Sequence, residues 1–188
     1  MRKGELVYNY ILEQVMEGRK DMTQAEIASA LKLSLSVVNA AIGNLKKMAA
    51  VRVRLRGFTV VDAKKILYYW ASIRNVDKDI VYATRSDKPA TEIEKEMPPG
   101  VVYASYSAYK IKFKDVPADY SEIYVYGNPD SVKKRFLPSK NKPNIFVLKE
   151  GPKKMTSANI FVDLWNMREW YAKDFLKAME ERIDGILA

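Results

Sequence analysis

Apolar residues in the first third of the chain recur at helical spacing three times over, and then the pattern switches to alternation. From Gly4 to Glu17 the apolar positions are Leu6, Val7, Tyr10, Ile11, Val15 and Met16, which predicts an amphipathic helix stopped by Gly18. Thr23 with Glu26 three residues later forms a capping box that opens a second helix, with Ile27, Ala28 and Leu31 facing inward. Lys32-Leu33 reads as a turn. Ser34 or Ser36 caps a third helix, whose inner stripe is Val37, Val38, Ala41, Ile42, Leu45 and Met48. Val51-Arg52-Val53-Arg54-Leu55 alternates strictly, predicting a strand with both arginines on one side and the valines packed inward. Arg56-Gly57 turns the chain, and Phe58 to Val61 returns. Three helices and a hairpin follow the order of a winged helix-turn-helix.

Beyond it, Asp62 caps the helix DAKKILYYWASIRN, whose bulky stripe Ile66, Tyr69, Trp70 and Ile73 suits a connector or a dimer contact. The elements then shorten. Ile80 to Ala83 reads as a strand, and Thr91 to Met97 as a helix started by Pro89 and ended by Pro98-Pro99-Gly100. SYSAYKIKF fits either a helix or a strand. Ile123 to Tyr126 and Asn144 to Leu148 are strands, Asp130 caps the basic helix SVKKRF, and Thr156 to Ala188 is helical. The expected fold class is α+β: a winged helix-turn-helix over 1–61, a connector helix over 62–79, and a small α/β domain over 80–188 closed by C-terminal helices.

Composition narrows the chemistry. The 188 residues suit one mid-sized domain or two small ones, and 48% hydrophobic content can fill a core. Lys+Arg of 32 against Asp+Glu of 23 gives +9, a balance that favours a polyanionic partner. Residues 1–61 hold 10 basic and 5 acidic side chains, and no acid falls between Glu26 and Asp62. Without Cys or His, thiol nucleophiles, disulfides and Ser-His or Cys-His pairs are excluded. With no 18-residue apolar run, a cytoplasmic protein with no membrane partner is expected.

The candidate DNA-binding residues are Ser34, Ser36, Asn39, Ala40, Gly43, Lys46 and Lys47 on the third helix, with Arg52, Arg54 and Arg56 on the hairpin. Small and amide residues early on a helix allow close approach to base edges, and later lysines suit phosphates. The same lysines also suit a solvated helix end. The strand arginines tip that balance towards duplex DNA, with the third helix in the major groove. Further basic groups are Lys110, Lys112 and Lys114; Lys133, Lys134 and Arg135; and Lys140, Lys142, Lys153 and Lys154. With Tyr103, Tyr106 and Tyr109, the first could form a surface for single strands, but core tyrosines beside solvating lysines is the plainer reading. No enzyme, cofactor or metal is expected. Asp77 and Asp79 lack the Gly-Ser turn of a nucleotidyltransferase, and Asp163 reads as a structural hydrogen-bond acceptor.

The stretch Tyr103-Ala104-Ser105-Tyr106-Ser107-Ala108, the strand pair around Ile123–Tyr126 and Asn144–Leu148, and the segment Thr156-Ser157-Ala158-Asn159-Ile160-Phe161-Val162-Asp163-Leu164 together resemble the AbiEi-type antitoxin family of type IV toxin-antitoxin systems. The last segment is similar to that family's S-P-x-Q-x-x-x-D-L pattern, with Ala158 and Asn159 in place of its proline and glutamine. The resemblance implies an autorepressor of a toxin-antitoxin operon, whose toxin is a separate nucleotidyltransferase-like protein. The expected function is thus a DNA-binding transcription regulator acting on double-stranded DNA, with a homodimer suited to paired half-sites. The alternatives are a nucleic-acid-processing or nucleotide-binding enzyme with its site in the C-terminal domain, and a winged-helix protein-protein adaptor.

Overall fold

A computed structural model describes residues 1–149, 151–152 and 154–187, with side chains placed as far as Gly185. Lys153 of the last basic group and Ala188 of the closing helical stretch lie outside the described residues. The fold is mixed α+β with two small sheets. Two compact units divide the chain: Met1–Arg74 with Thr156–Ala158 and the C-terminal segment from Arg182, and Asn75–Met155 with Asn159–Glu181.

The first unit opens with α1 (Lys3–Met16), α2 (Gln24–Leu31) and α3 (Leu35–Lys47). Gly18, at φ 89°, ends α1 by turning its N–H back to Val15 O at 2.9 Å. At the start of α2, Thr23 Oγ1 accepts from Glu26 N–H at 3.1 Å and its hydroxyl donates to the Glu26 carboxylate at 3.2 Å. Ser34 occupies the cap position of α3, yet its side chain makes no capping bond; its hydroxyl sits 3.0 Å from that of Ser36 instead. β1 (Asp21–Met22), β2 (Val51–Arg54) and β3 (Gly57–Val60) pair antiparallel in the order β1-β3-β2. β1 escapes pattern reading because two residues show no period. Met22, Val51, Phe58 and Val60 face the core, but Val53 is 42% exposed. The expectation that both valines pack inward fails at Val53, because the end of β2 runs clear of the core.

Asp62 accepts from Lys65 N–H at 2.9 Å and starts α4 (Ala63–Ile73), which packs on α1 and groups with this unit. A buried polar knot joins the two helices. Glu5, 2% exposed, pairs with Arg74 at 3.4 Å and accepts from Trp70 Nε1 at 3.3 Å. Burying a charge is tolerable only when it is paired and hydrogen-bonded. Thr156, grouped here, donates to Asn9 Oδ1 at 2.6 Å, and Lys64 pairs with Asp184 at 2.9 Å.

The second unit has a four-stranded sheet, β4 (Ile80–Thr84), β5 (Val102–Ala104), β6 (Ile123–Tyr126) and β7 (Ile145–Leu148), in the order β4-β7-β6-β5. β6 and β7 run parallel through the crossover helix α7 (Pro129–Arg135), and the edge strands are antiparallel to them. Period-two alternation splits the side chains between faces. Ile123, Val125, Ile145 and Val147 pack with Ile93 and Met97, from and just after α5 (Ala90–Glu96), and with Val132 and Phe136. Tyr124, Tyr126, Phe146 and Leu148 take the other face, against which α6 (Ser105–Phe113) packs. The closing helices are α8 (Ser157–Trp165) and α9 (Ala172–Leu187).

The ambiguous segment SYSAYKIKF is thus α6. Ser105, at φ 50°, breaks the extended run of β5, and Tyr106 and Tyr109, both fully buried, supply the three-residue step of a helix. Their burial also dismantles the surface for single strands considered beside Lys110, Lys112 and Lys114. α7 is capped by Asn128, whose Oδ1 accepts from Asp130 N–H at 2.9 Å, and not by Asp130 as expected; Pro129 at the first helical position moves the start forward. Asn144 brackets the loop after β4, accepting from Ser86 N–H and donating to Ser86 O, both at 2.9 Å.

Glu94 holds the α5–α6 side together, meeting Lys110 Nζ at 2.6 Å and the Tyr120 hydroxyl at 2.5 Å. Burial pushes its carboxyl up, but the hydrogen bonds from Lys110 and Tyr120 outweigh burial and hold it below its usual 4.5. A depressed carboxylate contributes stability above its unfolded pKa and loses it as pH falls through the folded value. Acid titration followed by circular dichroism should therefore show stability falling below about pH 4.5, with Glu94→Gln flattening that fall. Glu5→Ala strips the anion from beside a buried guanidinium and should cost on the order of 3 kcal/mol in urea unfolding.

Candidate nucleic-acid interface

α3 carries the largest group of candidate residues because its buried and exposed stripes separate cleanly. Val38, Ala41, Ile42 and Leu45 are buried. Ser34, Ser36, Asn39, Ala40, Lys46 and Lys47 are exposed, and Gly43 is half-buried. Ser36, Asn39 or Ala40, Gly43, and Lys46 or Lys47 fall at steps of three and four, so they share one outward face. Leu35, 48% exposed, stands at the start of that face, and after it no side chain there is larger than asparagine until the lysines. Another backbone or a base edge can therefore come close to the helix axis between Ser36 and Gly43.

Arg52, Arg54 and Arg56 are all exposed on the hairpin. Arg52 and Arg54 point away from the face that carries Val51, Phe58 and Val60. Leu55 and Arg56 form a two-residue turn between the paired Arg54 and Gly57, and Leu55 is 99% exposed. Two carboxylates, Asp21 and Glu26, line a recess beside Arg54 and Arg56, and the first interrupts this positive surface directly. Asp21 sits opposite Thr59 across β3, pairs with Arg54 at 3.3 Å and accepts from the Thr59 hydroxyl. Sequence reading missed Asp21 because the pairing of β1 with β3 brings it over from outside the acid-free stretch. Leu55 was counted there only as the end of an alternation. Its exposure follows from the tightness of the turn.

Gly57 makes that turn possible. Its φ is +112°, and a Cβ there would lie 2.3 Å from the Met22 carbonyl oxygen. β1 thus approaches the hairpin over a backbone with no side chain.

The other basic groups lie on the second unit. Lys133, Lys134 and Arg135 project from the last turn of α7, with Lys133 Nζ 5.4 Å from the centre of the Tyr82 ring. Lys140, Lys142 and Lys154 are exposed. Asp79 is buried and paired with Lys149 at 3.4 Å, and Asp77 pairs with Arg168. Asp163, 1% exposed, accepts from the Tyr126 hydroxyl at 3.3 Å. These acids are engaged within the fold. Among the described residues, no helix is long and apolar enough to cross a membrane.

No protein-family model matches the chain. No curated protein and no solved structure matches it either.

Replacing Gly57 with alanine combines a disfavoured backbone conformation with a clash against main-chain atoms that cannot move aside. Gly57→Ala should lower the stability of the first unit by more than about 1 kcal/mol and expose the β1–β3 amides to hydrogen exchange.

Proposed function

We propose that residues 1–61 are a winged helix-turn-helix and that the protein is a transcription regulator binding duplex DNA. The observation that carries this reading is the outward face of α3, small between Leu35 and the lysines and doubly lysine at its end, followed by a hairpin bearing three exposed arginines. A 13-residue helix is about 20 Å long, enough to lie in a major groove with its first turns at the base edges. Ser36, Asn39, Ala40 and Gly43 would read or approach bases, and Lys46 and Lys47 would meet phosphate. Ser34 would sit at the entry to the helix.

The hairpin would follow the flanking backbone or minor groove, with Arg52, Arg54 and Arg56 neutralising phosphates. Leu55 at its tip has no apolar neighbour to cover it in the hairpin, and it would rest against sugar or base edges. Following the resemblance of its segments to AbiEi-type antitoxins, such a regulator would repress its own toxin-antitoxin operon. A nucleotidyltransferase-like toxin would be its functional counterpart, and a homodimer would match paired half-sites.

Filter binding across a salt series tests the interface. Lys46→Ala should weaken binding to every duplex and lower the salt slope by about one, since one phosphate contact is lost. Asp21→Asn, which removes the acid paired with Arg54, should strengthen binding. Unchanged affinity and slope in both variants would remove α3 and the hairpin from the interface.

A further inference from the structure

A cavity of about 330 Å³ opens in the second unit, lined among others by Asp77, Glu122, Tyr124, Phe146, Arg168 and Glu169. Its volume is at the small end of ordinary ligand sites. Two features give it chemical character. Tyr124 and Phe146 are paired in the parallel register of β6 and β7, and their rings stack 4.6 Å apart at an interplanar angle of 12°. The Tyr124 hydroxyl is fixed on Glu169 at 2.9 Å, so this aromatic platform is oriented before any ligand arrives.

The second feature is an imbalance among the charged groups. Asp77 takes Arg168, and Glu169 takes the Tyr106 and Tyr124 hydroxyls together with the Arg168 N–H at 3.1 Å. Glu122 receives only the hydroxyl of its neighbour Ser121, at 2.9 Å, and has no ion pair among the described residues. Lys142, also on the wall, is exposed and makes no ion pair with it. The Tyr124 hydroxyl registers the local field: burial raises it first, and the charges of Glu169, Glu122 and Asp77 raise it further. An aromatic face beside a carboxylate without a cation attracts a flat group rich in N–H donors.

We propose that this cavity binds a planar group with two adjacent N–H donors, stacked on the Tyr124–Phe146 pair and bridged bidentately to Glu122. A guanidinium and the Watson–Crick edge of guanine both present that fork. An alkyl ammonium has the charge without the plane. Adenine has the plane, but an acceptor sits beside its amino group. For anionic ligands, the three carboxylates of the wall outnumber its two cations, Arg168 and Lys142, and Arg168 is already paired with Asp77. The site stands whether or not the first unit binds DNA, since it uses residues of the second unit alone.

The full chain titrated with agmatine and with guanosine tests this, using calorimetry and the fluorescence of Trp165 and Trp170, which flank the Asn166–Glu169 wall. Saturable binding is expected with a Kd of about 1 mM or tighter for at least one probe. Cadaverine and adenosine should bind at least about tenfold more weakly. Glu122→Gln, a half-buried substitution of equal size, should weaken the bound probe about tenfold or more while leaving thermal unfolding unchanged, and Phe146→Leu should weaken it too. Binding of agmatine alone identifies a guanidinium source, and binding of guanosine alone a base. The proposal is overturned if neither probe saturates, if a control binds as well, or if Glu122→Gln binds with wild-type affinity.

Discussion

Aromatic donors resting on carboxylate acceptors recur in the buried parts of both units. Trp70 donates to Glu5 in the first unit; in the second, Tyr106 and Tyr124 share Glu169, Tyr126 meets Asp163, and Tyr120 meets Glu94. A buried hydroxyl or indole N–H must find an acceptor. A chain with no histidine and 12 tyrosines answers with its acids. Burial together with the neighbouring carboxylates raises the hydroxyls of Tyr106, Tyr120 and Tyr124 well above the ordinary tyrosine value, so they remain donors throughout the biological pH range. Glu169 is thereby held by two hydroxyls and makes no ion pair among the described residues, so this acid is turned to the fold and not to a surface cation.

That division of labour bears on how far the sequence could be read. The helices of the first unit were legible because Gly18, Thr23 with Glu26, and Asp62 each perform the terminal role their type favours. The continuous apolar runs at Ile123–Tyr126 and Ile145–Leu148 likewise sufficed, since a strand buried on both faces, as β6 is, needs apolar residues throughout. Three things were not legible. β1 is too short to show a period and exists only through its pairing with β3. Asp130 looked like a cap because acids favour that position, but Pro129 fixed the helix start earlier and gave the role to Asn128. The third is the choice between helix and strand for α6, which turned on Ser105 adopting a positive φ that no local pattern announces.

The candidate interface was legible in its residue types and hidden in its pairings. Helical spacing alone places Ser36, Asn39, Gly43 and Lys46 on one face. Nothing in that spacing shows that Asp21 would sit against Arg54, since the two are brought together only by the three-stranded sheet. The cavity beside Glu122 was invisible for the same reason. Its walls come from four stretches far apart in sequence, within residues 77–80, 122–124, 142–146 and 166–169.

The strand order of the second sheet carries a consequence for the chain's history. β4 is the first of its strands to be made, yet its partner in the sheet is β7, the last. Until β7 emerges, β4 has no ladder to join, and its backbone groups stay open to other partners. The pairing that completes the sheet closes a long loop, a slow kind of contact to form. During synthesis the early part of this unit must therefore wait, unpaired, for its end.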